Sequence, residues 1–143
     1  MTTAIARLNA RLGAPFPADL TTFVMRVAIA SPFFLAGRTK VEGWLTLSAG
    51  ARYLFAEEYR VPLLPPDVAA YLAAYAEHLF PILIVLGLAT RLSALGLIVM
   101  TLVIQLFVVP MGWPTHLLWL GPLLFLVGQG PGRYSLDRLF RLD

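Results

Sequence analysis

Apolar residues in this chain neither alternate nor form thin stripes. They run in four blocks, at 20–37, 68–89, 92–109 and 115–128, divided by segments where charges and prolines collect. A helix rises about 1.5 Å per residue and bilayer hydrocarbon is about 30 Å thick, so such blocks predict membrane-crossing helices. The pattern therefore predicts an all-α fold, an integral membrane bundle of four transmembrane helices. The second and third blocks form a hairpin whose turn carries one charge, Arg91. The fourth is the shortest and contains Gly121 and Pro122.

The segments outside the blocks have their own patterns. In residues 1–19, Ile5, Leu8 and Leu12 share one helical face and Arg7 and Arg11 another. That predicts a short amphipathic segment at the membrane surface, with a basic tail as the alternative; Pro15 and Pro17 end it. Cleavage after Ala36 would require a small residue where Phe34 stands, so the first block is expected to be retained. The long loop, 38–67, mixes Arg38, Lys40, Arg52 and Arg60 with Glu42, Glu57, Glu58 and Asp67. Its Trp44, Tyr53, Phe55 and Tyr59 are the aromatic type found at headgroup level, and they predict an interfacial helix around 45–58. In the tail, 130–143, Ser135 is placed to cap a surface helix that carries Asp137 in its first turn. The chain thus divides into an N-terminal segment 1–19, a membrane domain 20–129 and a tail 130–143.

Composition agrees with this. Of the 143 residues 59% are hydrophobic and 13% charged, against about 45–50% and about 25% in soluble domains. There is no cysteine, which excludes disulfides, thiolate metal sites, iron–sulfur clusters and covalent c-type haem within this chain. The net charge of +3 is small. In so apolar a chain it points to topology and lipid headgroups, not to nucleic acid. With four crossings, both termini and the 90–91 turn share one side. That side holds Arg7, Arg11, Arg91, Arg133, Arg138 and Arg141, so both termini are expected in the cytoplasm. A multi-pass protein of a bacterial cytoplasmic (inner) membrane is expected, with an oligomer allowed.

Polar residues at membrane depth are costly and mark function or register. Here they are Arg26, Glu77, His78, Gln105 and His116. Arg26 lies on a face with Thr22, Ala30 and Gly37, and Glu77 on a face with Ala70, Ala73 and Ala74, the small-residue faces on which helices pack. One expectation is a buried Arg26–Glu77 ion pair that fixes helix register. The other gathers Lys40, Glu77, Gln105 and His116 in the outer half of the bundle, where amide, imidazole and carboxylate would suit a quinone headgroup. Bis-histidine haem between His78 and His116 is disfavoured by about 13 Å of depth between them, and no metal site is read. Arg91 and Asp137 are expected on one side, as solvated charges or as a salt bridge clamping the turn to the tail.

The order of these motifs resembles the DoxX family of small four-helix membrane proteins. The carrying residues are Arg26, Gly37 and Lys40, the segment 59–105 with Glu77, His78 and Arg91, then His116 and Trp119, and the closing Gly130-Pro131-Gly132-x-x-Ser135-x-Asp137. The resemblance covers about residues 20–138. It implies a four-helix membrane fold and membrane oxidoreduction, since relatives include the large subunit of an archaeal thiosulfate:quinone oxidoreductase. It also implies soluble redox enzymes as partners. The expected function is thus a membrane subunit of an oxidoreductase system, quinone-interacting and without its own redox centre. The alternatives are a non-enzymatic scaffold or assembly partner, and a small-molecule or proton transporter.

Overall fold

A computed structural model of the chain describes residues 5–7, 17–59 and 61–142. Most of the expected N-terminal amphipathic segment lies outside the described residues, as does Arg60. The element order is α1 (Ala18–Lys40), β1 (Val41–Glu42), β2 (Thr46–Leu47), α2 (Ala49–Tyr53), α3 (Pro66–Leu86), α4 (Thr90–Val103), α5 (Trp113–Gln129) and α6 (Leu136–Phe140). Among the described residues, four spans are long and apolar enough to cross a membrane: Ala18–Lys40, Pro66–Leu86, Thr90–Val108 and Pro110–Gln129. The fold is an all-α membrane bundle.

Local chemistry sets the ends of these helices. Pro66 opens α3 at a position where its missing N–H costs nothing, and Gly87, at φ 68°, closes it in the left-handed conformation. The fourth span starts earlier than expected. A 3₁₀ turn, Pro110–Gly112, runs straight into α5, and Pro114 fits that first turn. The first span runs past 37 to Lys40, so Lys40 belongs to a helix and not to the loop.

The long loop differs from a simple interfacial helix. It begins with a hairpin in which Val41 pairs with Leu47 and Glu42 with Thr46, and Gly43 supplies the positive φ of 59°. Ser48 then caps α2, its Oγ accepting the Ala51 N–H at 3.1 Å. A π-helical turn, Leu54–Glu58, follows.

Two cores stack along the bundle. Nearer the termini, Ile29, Ala30 and Phe33 of α1 pack with Ile84, Ala94, Leu97, Leu123 and Leu126 from the other three spans. Beyond it, Val41, Leu47, Ala51 and Phe55 of the loop pack on Ala69, Ala70 and Ala74 of α3. The loop therefore covers the part of α3 that α1 does not reach. Lys40 and Glu77 lie where the two cores meet.

Candidate functional site

Gly37 fixes the approach of α1 to α3. A Cβ there would lie 2.9 Å from His78 Nδ1 and 3.0 Å from Glu77 Cβ, so only glycine lets the helices close at this level. That brings Lys40 one turn further along α1 onto the Glu77 carboxylate. Lys40 Nζ is 2.6 Å from Oε2 and donates to Oε1 at 2.9 Å. The Glu77 side chain is 4% exposed and that of Lys40 17%. Opposite charges at this spacing compensate one another's desolvation where neither would be tolerated alone.

The pair forms the polar end of a cleft of about 400 Å³. Ala69, Ala73, Ala76 and Phe80 line it from α3, and Gly96, Val99, Met100 and Val103 from α4. Phe55, Tyr59 and Leu64 close it from the loop. Phe80 lies over Gly96, where a Cβ would come within 2.6 Å of its ring. Val99 and Val109, both in the wall, are well exposed on the apolar outer surface, so the cleft opens sideways. Two π-helical turns flank it. Tyr59 N–H bonds back to Leu54 and Val109 N–H to Ile104, each at 2.8 Å. Such widened turns are frequent at functional sites.

Among the described residues, Tyr59 has the one other titratable side chain in the wall. Burial raises its phenol above the ordinary range, and Glu58 and Glu77 push the same way. It stays protonated and can donate. No local signal in the sequence marks it for this place; the loop's fold brings it there.

The expected Arg26–Glu77 pair does not form. Arg26 lies beside Gly87, where a Cβ would come within 1.9 Å of its Nη1, whereas Glu77 is level with Gly37. The eleven residues from Arg26 to Gly37 span about 16 Å of helix, beyond the reach of an arginine. The reason is an offset that the sequence pattern leaves open: α1 is displaced toward the termini relative to α3. Arg26 is instead 1% exposed under the tail. Its Nη2 donates to the Tyr134 carbonyl at 2.5 Å, while Nε and Nη1 have no hydrogen-bond partner among the described residues.

The other polar residues separate. His78 does not line the cleft; its Nδ1 bonds the Ala74 carbonyl at 2.6 Å and its ring meets Phe34 edge-on. His116 Nδ1 donates to Gln105 Oε1 at 2.6 Å, and Gln105 Nε2 donates to the Pro110 carbonyl at 2.6 Å. Gln105 and His116 thus tie the α4–α5 junction and line a different cavity of about 160 Å³, with Trp113 and Thr101. Of the four residues expected together, the fold joins Lys40 with Glu77 and Gln105 with His116, and keeps the pairs apart.

The tail does meet the 87–91 turn, through other atoms than an Arg91–Asp137 bridge. Asp137 Oδ1 accepts Ala89 N–H at 2.6 Å, Oδ2 accepts Thr90 N–H at 2.9 Å, and Asp137 N–H donates to the Gly87 carbonyl at 2.7 Å. The carboxylate thereby caps the start of α4. Arg91 Nη1 donates to the carbonyls of Val127 and Gly128, at the far end of α5. Gly132, at φ 76°, presses on Thr22, and Ser135 Oγ donates to the Gly132 carbonyl at 2.6 Å. Gly130, at φ 81°, leaves space for the Arg91 guanidinium, and Pro131 follows it, buried. The Gly-Pro-Gly-x-x-Ser-x-Asp segment is a latch on the ends of three spans.

No solved structure matches the chain. An uncharacterized protein of Haemophilus influenzae is 30% identical over 135 residues, covering 85% of this chain and 84% of that protein. The DoxX family model matches residues 21–110, from α1 through the α3–α4 hairpin and the cleft between them. This chain belongs to the DoxX family.

Proposed function

We propose that the cleft between α3 and α4 receives the head of a quinone, and that the protein is the membrane subunit of a quinone-linked oxidoreductase system. One observation carries this reading: an apolar cleft of about 400 Å³, open sideways, has its charged and phenolic groups together in one region. An amphiphile with a small polar head and an isoprenoid tail matches that division. The Lys40 ammonium and the Tyr59 hydroxyl would donate to the two quinone oxygens. Glu77 would take a proton from a quinol hydroxyl. Oxidation of a quinol releases two electrons and two protons, and the electrons would pass to a redox centre on a soluble partner. The excess of arginine on the side of the termini supports a cytoplasmic position for both ends in a bacterial inner membrane.

The test is quinol binding to the purified protein. Wild type should bind, and Glu77→Gln should bind at least about tenfold more weakly, the worth of one charge-assisted hydrogen bond. No binding by wild type ends the proposal. A second reading, a non-enzymatic scaffold, draws on the same ion pair, since Lys40 already donates to Glu77 Oε1 and lies 2.6 Å from Oε2.

A further inference from the structure

The α3–α4 turn and the tail enclose another cavity, of about 380 Å³, lined by Thr90, Arg91, Leu92, Pro131, Asp137 and Leu142 among others. The latch does not use all of its polar groups. Thr90 is fully buried and its hydroxyl has no hydrogen-bond partner among the described residues. Arg91 commits Nη1 to Val127 and Gly128, but within the described residues its Nε and Nη2 make no hydrogen bond. The buried Thr90 hydroxyl is a donor waiting for an acceptor, and the exposed Arg91 guanidinium beside the same cavity has two positions left to offer one.

Charge narrows the choice of acceptor. The Asp137 carboxylate is held by two backbone N–H groups and faces the buried Arg26. Of the two charged side chains in the wall, Asp137 is thus already engaged, and the Arg91 guanidinium keeps donors to spare. A phosphodiester carries one negative charge and presents oxygens to such a fork. Position narrows it further. A turn between two spans must lie at a membrane face, and the rim residues Leu92 and Leu142 are 71% and 65% exposed. An acyl chain would lie along them.

We propose that this cavity binds a phosphate group, that of a phospholipid headgroup, with Arg91 and Thr90 as its donors. The site is distinct from the cleft and does not depend on what the cleft binds.

The experiment measures retention of phosphatidylglycerol by the purified protein through delipidation, using native mass spectrometry and thermal stabilisation by added lipid. Wild type should keep one lipid per chain, and Arg91→Gln should lose affinity at least about tenfold. Thr90→Val should lose less. Because Arg91→Gln also frees two carbonyls of α5, Leu142→Glu serves as the second variant: it changes an exposed rim residue and should expel the lipid without unfolding the bundle. Inorganic phosphate separates the sources. Protection of wild type but not of Arg91→Gln by phosphate, with no lipid retained, assigns the cavity to a soluble phosphate compound. Equal binding of diacylglycerol, which lacks the phosphate, overturns the proposal. So does equal lipid retention by wild type, Arg91→Gln and Leu142→Glu.

Discussion

The end of α3 at Gly87 and its middle at Glu77 handle charge in opposite ways. At the latch, ionised groups are matched to backbone: Asp137 to the N–H groups of Ala89 and Thr90, Arg91 to carbonyls of Val127 and Gly128, Arg26 to that of Tyr134. At the cleft, Lys40 and Glu77 are matched to each other and border a cavity. Backbone partners at helix ends cannot move away without unwinding the helix, so the latch is a fastening. A side-chain pair can part by rotating, so the cleft is able to exchange one partner for a ligand.

If this contrast holds, the largest effect should come from the latch. Asp137→Ala strands two buried N–H groups and leaves Arg26 without its charge partner. It should cost about 3–5 kcal/mol, read as a lower Tm in detergent and as easier proteolysis of the tail. A small change in both would show that the tail is not fastened there. The cleft gives the sharper case. Lys40→Met leaves a carboxylate buried alone and should cost about 3 kcal/mol, whereas Lys40→Met with Glu77→Leu should return to within about 1 kcal/mol of wild type. The double variant should unfold normally and bind no quinol. If it is as unstable as the single variant, the pair is a fastening too and the contrast fails.

A smaller effect is expected at Gly87. Gly87→Ala places a Cβ on Arg26 at φ 68° and should cost about 1–2 kcal/mol from the left-handed backbone alone, and more from the displaced guanidinium. Thermal unfolding measures it, and a loss no larger than the backbone cost would mean that Arg26 is free to move aside. The smallest belongs to the exposed Arg52–Asp67 bridge at 3.0 Å. Asp67→Asn should cost at most about 1 kcal/mol and less in high salt. A salt-independent loss would show that the loop carries more of the fold than its exposure implies.

The four crossings could be read from the chain because crossing a membrane is a property of continuous length and apolarity, which local sequence states directly. The tail helix was also legible, since Ser135 caps it within one turn, whereas the partners of Asp137, Ala89 and Thr90, are distant in sequence and were not. The hairpin at 41–47 was hidden by strands of two residues each. What no reading of the chain could decide was the sliding of α1 along α3. Side chains three or four apart share a face whatever the offset, so the same sequence pattern allowed Arg26 or Lys40 to meet Glu77. Close contact at Gly37 and Gly87 settled that offset. With it came the pairing of Glu77 with Lys40, the separation of Gln105 and His116 from the cleft, and the arrival of Tyr59. Periodicity fixes which face of a helix is polar; packing alone fixes how far along its neighbour that face is set.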